Sequence, residues 1–194
     1  MAPAEPERPW RCFVAVPIGG ELREAVAACS SALQALPEAH AWSWTDAAGW
    51  HVTLAFLGAT DPARVPSLGR ALAAIARRGG TFTVACGGLG AFPSRGRARV
   101  LWYGVTDTDG RLRDLAREVQ AATGLQPEDR FRAHLTLARA RDRSGTDAGP
   151  LLASGQPPEG QIEVDHMVLY RSHLGRGPAR YEALAVAPLS GAAR

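Results

Sequence analysis

The tetrapeptide His51-Val-Thr53-Leu54 returns as His134-Leu-Thr136-Leu137, 83 residues later in a chain of 194 residues with five histidines. Such a repeat constrains the fold because it has a physical meaning only in extended backbone, where side chains two apart share a face. Trp50, Val52, Leu54 and Phe56 then form one apolar set, and His51, Thr53 and Ala55 form the other. Leu135 and Leu137 oppose His134, Thr136 and Ala138 in the same way. Each copy is predicted to be a strand that buries aliphatic residues under helices and presents an imidazole beside a hydroxyl on its other side.

Imidazole titrates close to neutrality, so one copy can accept a proton while its partner donates one. Threonine adds a hydroxyl donor to the same patch. Two imidazoles and two hydroxyls on one small volume suit displacement at phosphorus, which needs an activated nucleophile, a protonated leaving oxygen and donors for the remaining oxygens. A lone histidine in a strand is ordinarily structural; it is the duplication that points to chemistry. Metal binding is the competing use of histidine, but the chain has no His-x-x-x-His, no Cys-x-x-Cys and no carboxylate adjoining either motif. No metal or cofactor is expected.

The motifs and their surroundings resemble the 2H phosphoesterase superfamily, and within it the RNA 2′,3′-cyclic phosphodiesterases, also described as 2′-5′ RNA ligase-like. Arg11-Cys-Phe13-Val-Ala-Val-Pro17 looks like the family's opening strand, and Trp50-His-Val-Thr-Leu-Ala-Phe-Leu-Gly58 is similar to its first motif block. Gly90-Ala-Phe-Pro-Ser94 with Arg99-Val-Leu-Trp102 resembles the central hairpin, and Phe131-Arg-Ala-His-Leu-Thr-Leu-Ala-Arg139 the second motif block. Leu169-Tyr-Arg-Ser-His-Leu-Gly175 and Ala179-Arg-Tyr-Glu182 resemble the closing strands. Two departures stand out: Ala133 where proline is usual before the second histidine, and Trp50 where leucine is usual before the first.

The resemblance implies metal-independent hydrolysis of RNA ends bearing a 2′,3′-cyclic phosphate, leaving a terminal 2′-phosphate. His51 is then the proton donor to the leaving 3′ oxygen and His134 the proton acceptor from water. Thr53 and Thr136 are expected to donate to non-bridging oxygens, and the resemblance places a phosphate-contacting arginine at Arg139. Strict alternation from His134 puts Arg139 on the wrong side of its strand, so the strand must end, twist or bulge near Ala138 if the guanidinium is to reach the site. Phe13 lies on a strand that the resemblance sets beside the cleft; it either stacks on a terminal base or belongs to the core. The other histidines, His40, His166 and His173, are read as structural or surface residues. The same paired motif would also serve a 2′,5′-oligonucleotide phosphodiesterase, a cyclic nucleotide-sugar phosphodiesterase, a reversible 2′-5′ RNA ligase, or a non-catalytic module that binds RNA ends.

Hydrophobic residues make up 46% and charged residues 21% of the chain, enough for a proper core. No run of 18 apolar residues is present. The proline-rich start does not read as a secretory signal, and Cys12, Cys29 and Cys86 lack metal or disulfide spacing, which together lead to a cytoplasmic expectation. Net charge is only +3, from 22 basic and 19 acidic residues, but the arginines cluster: Arg95, Arg97 and Arg99; Arg130, Arg132, Arg139, Arg141 and Arg143; Arg171, Arg176 and Arg180. Heavy use of arginine also follows from GC-rich coding; those residues that face the cleft would steer a polyanion toward it.

Periodicity and turn residues predict strands at 11–16, 42–44, 51–57, 81–86, 99–105, 132–138, 161–170 and 179–186. Helices are predicted at 20–35, from Asp61-Pro62 to about Arg77, and from Gly110 to Thr123 under an Asp109 cap. Residues 141–160 read as an exposed loop, and 174–178 as a turn. The expected class is α+β, with two pseudo-symmetric lobes of antiparallel sheet, helices packed outside, and a central cleft lined by the two His-x-Thr strands. Residues 10–187 are expected to form one bilobal domain between flexible tails at 1–9 and 188–194. A monomer with no obligate protein partner and no membrane association is expected.

Overall fold

The computed structural model describes residues 8–173, 175 and 179–190. The expected tails at 1–7 and 191–194, Arg176, and the turn at 174–178 apart from Gly175 lie outside the described residues. In chain order the elements are β1 (Trp10–Pro17), α1 (Gly20–Gln34), β2 (Trp42–Trp44), β3 (His51–Thr60), α2 (Val65–Arg78), β4 (Phe82–Phe92), β5 (Val100–Thr106), α3 (Arg111–Thr123), β6 (His134–Ala140), α4 (Gly149–Ser154), β7 (Gly160–Val164), β8 (His166–His173) and β9 (Arg180–Pro188).

The nine strands form a single antiparallel sheet in the order β7-β4-β5-β6-β3-β1-β8-β9, with β2 laid on β6. Its halves, β7-β4-β5-β6 and β3-β1-β8-β9, meet where the motif strands β3 and β6 touch through one residue pair, Val52 and Leu135. Each half contains a strand-helix-strand unit whose strands pair with one another: β1-α1-β3 and β5-α3-β6. Each unit's helix contacts the opposite half, α3 packing on β3 and α1 against β7. The expected α+β class, antiparallel sheet and outer helices are what the chain forms, with the two lobes fused into one sheet.

Burial explains why the helices form where they do. In α2, Leu68, Leu72, Ile75 and Ala76 are buried at a helical spacing and face β8 and β9. In α3, Leu112, Leu115, Ala116 and Val119 form the equivalent stripe. Fully burying a leucine of this kind contributes about 1.5–3 kcal/mol. A 3-10 turn at Pro62–Arg64, capped by the Asp61 carboxylate accepting from the Ala63 amide at 2.9 Å, leads into α2.

Several local expectations are corrected. The cap of α3 is Asp107, whose carboxylate accepts from the amides of Leu112 and Arg113 at 3.1 and 2.8 Å; Gly110, in the left-handed region at φ 73, turns the chain so that Asp107 rather than Asp109 reaches them. The loop predicted at 141–160 contains α4, held by Leu151 at 0% exposure. Strand β4 runs on to Phe92 because its glycine-rich bend is a bulge between Cys86 and Leu89 rather than a terminus. The strand expected at 161–170 is two strands separated at Asp165. Order continues past 187: Leu189 is 6% exposed, and its amide donates to the Asp165 carbonyl at 2.7 Å.

Gly90 is needed where β4 crosses under Trp102, since a Cβ there would lie 2.1 Å from the indole ring. This close approach seats Trp102 against Phe92, ring centroids 5.1 Å apart, and Phe92 in turn meets the ring of His134.

Candidate active site

His51 opens β3 and His134 opens β6. The five residues from each histidine share one burial pattern, half-buried, buried, half-buried, buried, buried. Val52, Leu54 and Leu135 are 1% exposed and Leu137 is 0% exposed on the helix side. His51, Thr53, His134 and Thr136 all line one cleft of about 690 Å³ on the opposite face. The strands, 83 residues apart in the chain, are therefore neighbours, with antiparallel direction and the imidazoles on the same side.

Two consecutive buried residues break a strand's alternation, and each break here is a bulge. Against β1, Val14 pairs with Ala55 and Ala15 with Thr53, so Leu54 is the extra residue. Against β5, Leu101 pairs with Ala138 and Trp102 with Thr136, so Leu137 is extra. The bulge that Arg139 requires is present, and Arg139 lines the cleft. The matching bulge in β3 turns Phe56 to the cleft as well, with 59% of it exposed, instead of burying it with Val52 and Leu54 as alternation predicts. Both bulges leave a carbonyl outside the regular ladder, and each finds a donor. The buried Gln120 amide donates to Leu54 O at 2.9 Å, and the Thr45 amide donates to Leu137 O at 2.9 Å.

The two imidazoles are held alike. Nδ1 of His51 is 2.7 Å from the Gly49 carbonyl, and Nδ1 of His134 is 2.7 Å from the Arg132 carbonyl. A carbonyl only accepts, so Nδ1 carries the hydrogen in both rings and Nε2 is left for substrate. Each ring also meets an aromatic edge: Tyr181 lies 5.2 Å from His51 at 85°, and Phe92 lies 5.1 Å from His134 at 86°.

His51 is pushed down to about 4, chiefly by burial and with the positive charge of Arg139 and the neighbouring His134 adding to it, against the raising effect of the Gly49 hydrogen bond. His134 is lowered for the same first reason and by Arg139, opposed by its bond to the Arg132 carbonyl. Both rings are neutral in the empty cleft at pH 7, so both Nε2 atoms are proton acceptors until an anion arrives. A bound phosphate stabilises imidazolium and raises these pKa values. Ring-proton NMR should therefore show His51 titrating at about 4 in the free protein, with its midpoint moving upward when inorganic phosphate is added. An unmoved midpoint at saturating phosphate would contradict the electrostatic reading.

Trp50, the unusual residue before the first histidine, has a defined partner. Its indole N–H donates to Thr45 Oγ1 at 2.8 Å, and that hydroxyl lies 2.8 Å from both the Thr136 and the Leu137 carbonyls. With only one residue pair between β3 and β6, this clamp is a second tie holding one motif strand to the other. Thr45→Val leaves the buried indole N–H without an acceptor, at a cost of about 1–3 kcal/mol. We expect a lower Tm together with a kcat reduced about tenfold at little changed KM, because the imidazoles lose their spacing rather than their phosphate contacts.

Phe13 packs under His51 with centroids 4.7 Å apart and against Tyr170 at 5.2 Å, and is 3% exposed. It has no free face for a base, so its position is that of the core residue that supports the ring. Phe56 is the exposed aromatic of the cleft. The other histidines are engaged elsewhere: His40 with the Pro37 carbonyl, His166 with Asp165 at 2.5 Å, His173 with Glu182 at 2.7 Å. Arg11, Thr45, Ser172 and Tyr181 also line the cleft; Arg11, Ser172 and Tyr181 fall in the blocks that resemble the opening and closing strands, and Thr45 lies outside every such block. A larger hollow of about 840 Å³ lies beside α1, but carboxylates such as Glu21, Glu159 and Glu163 line it, and its one imidazole is the paired His166. The cleft, not this hollow, holds the donors suited to an anion. Among the described residues, no group of three or more His, Cys, Asp or Glu side chains is placed to hold a metal ion.

Two like-oriented imidazoles on adjacent strands of a curled antiparallel sheet share their cleft with a guanidinium, a set of groups suited to an anion such as phosphate. The family model described as LigT like Phosphoesterase matches residues 16–102 and 104–181, and the chain belongs to that family. It is 34% identical over 185 residues to an RNA 2′,3′-cyclic phosphodiesterase of Geobacillus stearothermophilus, a match covering 93% of this chain and 57% of that one. This chain thus spans little more than half the length of that relative. It is also 35% identical over 141 residues to an RNA 2′,3′-cyclic phosphodiesterase of Aeropyrum pernix, covering 70% and 79% of the two chains. Among solved structures, Escherichia coli LigT complexed with 3′-AMP superposes with a TM-score of 0.74 at 27% identity, covering 94% of this chain and 99% of that one.

Proposed function

We propose that this chain hydrolyses RNA 2′,3′-cyclic phosphate ends to 2′-phosphate by paired-histidine acid-base catalysis without a metal. The observation that carries the reading is the shared cleft. His51 and His134 enter it from adjacent strands, each with Nδ1–H tied to a carbonyl and Nε2 left for substrate. Relatives bearing the cyclic phosphodiesterase name and the 3′-AMP complex of a structural neighbour support it.

In this scheme Nε2 of His134 takes a proton from water as the water oxygen bonds to phosphorus. The P–O3′ bond breaks, and Nε2–H of His51 protonates the departing 3′ oxygen. The product carries a 2′-phosphate monoester and a free 3′-hydroxyl. Charge growing on the non-bridging oxygens is met by the hydroxyls of Thr53 and Thr136 and by Arg139, whose planar fork offers parallel hydrogen bonds. Substrate arrival supplies the negative charge that lets His51 hold its proton.

The test is an RNA oligonucleotide ending in 2′,3′-cyclic phosphate, incubated in ¹⁸O-water with the products resolved. One ¹⁸O in a terminal 2′-phosphate is the expected result. Tight binding of that end without turnover would replace the enzyme with a binding module, and a 3′-phosphate product would reverse the roles of the two histidines.

The protein is further read as a cytoplasmic monomer. Cys12, Cys29 and Cys86 are free thiols, in keeping with a reducing compartment. Phe56 and Val186 are the exposed large hydrophobics among the described residues, too few to form an obligate interface.

A further inference from the structure

Beyond the cleft, the turn after β4 and the loop after β6 border an open hollow of about 400 Å³, lined by Pro93, Ser94, Arg97, Arg99, Arg143 and Ser144. Three guanidiniums and two hydroxyls border it, and no carboxylate does. Asp142, the nearest acid in sequence, uses its carboxylate to accept from the Ser144 amide at 2.8 Å. None of the ion pairs among the described residues involves Arg97, Arg99 or Arg143. Like charges gathered around one hollow repel, and an anion between them relieves that repulsion.

The hollow has a fixed shape. The Ala98 amide donates to the Thr146 carbonyl at 2.8 Å, and the Thr146 amide returns a bond to Ala98 O at 2.9 Å. Gly145 adopts φ +92, and a Cβ there would stand 2.6 Å from Arg97 O, so the two loops meet backbone to backbone. It also adjoins the strands that carry the cleft. Val100 pairs with Arg139, the Ala140 amide donates to Arg99 O at 3.0 Å, and Pro93 directly follows Phe92, whose ring meets His134.

We infer that this groove holds backbone phosphates of the single RNA strand whose cyclic end occupies the cleft, which makes an RNA strand rather than a cyclic mononucleotide the preferred substrate. The inference rests on the activity proposed above. Its arginines are solvent-exposed and placed along an open rim, as suits a chain of phosphodiesters; one enclosed anion would call for buried donors.

The test compares the wild type with the triple variant Arg97→Ala, Arg99→Ala, Arg143→Ala on a cytidine 2′,3′-cyclic mononucleotide and on an RNA decamer with a cyclic end. Hydrolysis of the mononucleotide should be unchanged, while KM for the decamer rises. Loss of three single-strand phosphate contacts lowers the salt slope of binding by about 2, so a fourfold rise in salt should weaken the wild type about 20-fold more than the variant. Unchanged KM and salt slope for the decamer would overturn the groove, as would an equal loss on both substrates. Fluorescence anisotropy with the labelled decamer separates this question from catalysis. If the wild type hydrolysed neither substrate, weaker decamer binding by the variant would still support the groove, and equal binding would still refute it.

Discussion

Alanine in place of either His51 or His134 should lower kcat/KM on a cyclic-phosphate RNA end by about 10²–10⁴, the usual effect of removing a general acid or base. Each change removes a ring whose Nε2 faces the cleft and leaves the strand beneath it intact, because Val52, Leu54, Leu135 and Leu137 make the buried contacts. The fold should therefore survive, with unchanged far-ultraviolet circular dichroism as the control. The double variant should lose much less than the product of the two single losses, since a proton taken from water and a proton given to the 3′ oxygen belong to one transition state. Wild-type rate in either single variant would end the scheme.

Arg139→Ala should cost about 10²–10³ in kcat/KM, the range seen when a donor aimed at developing charge is lost. It should also move the pH dependence in a defined direction. The Arg139 charge holds both His51 and His134 below the ordinary imidazole value, so removing it raises both pKa values. The limbs of the pH-rate profile then shift to higher pH as the maximum falls. Arg139→Lys keeps the charge and loses the planar fork, so it should leave the limbs near their wild-type positions and recover only part of the rate. A variant that lost rate with no movement of its limbs would place Arg139 too far from the imidazoles for this account.

The paired histidines are legible in the sequence because alternation of period two survives translation into structure: the residues that alternate in the tetrapeptides alternate in burial. The segments just beyond the tetrapeptides are less legible. A bulge is decided by which residues of β1 and β5 pair across from Leu54 and Leu137, and that register lies in other segments of the chain. The resemblance, which places a phosphate-contacting arginine at Arg139, calls for a bulge before it. Nothing comparable demands one before Phe56, so alternation assigns its ring to the core. For Phe13 the sequence leaves stacking and core open, because a strand beside a cleft still buries one of its faces.

Partners from distant segments are the other blind spot. Tyr181 reaches His51 from β9, and Thr45 reaches Thr136 and Leu137 from a turn that looks like a plain connection. The misplaced α3 cap has a local cause. Asp107 and Asp109 both precede the helix, and only the left-handed backbone at Gly110 decides which carboxylate meets the first amides. In α4 a Gly-Pro start and a short length hide the helix, which exists because Leu151 fills a small core with Leu33, Trp42 and Leu101. Composition carries no trace of that tertiary contact.

The most direct measurement of the central claim is kcat and kcat/KM for the cyclic-ended RNA decamer between about pH 5 and 9 in excess EDTA. Turnover should be undiminished by the chelator. Both free imidazoles titrate below 6.5, and the scheme needs His51 charged while His134 is neutral. The kcat/KM profile should therefore peak on the acid side of neutrality and fall as pH rises. The kcat profile should hold to higher pH, because bound phosphate raises the donor's pKa. Turnover abolished by EDTA and restored by a divalent cation, or a profile flat across the whole range, would contradict two histidines as the acid and the base.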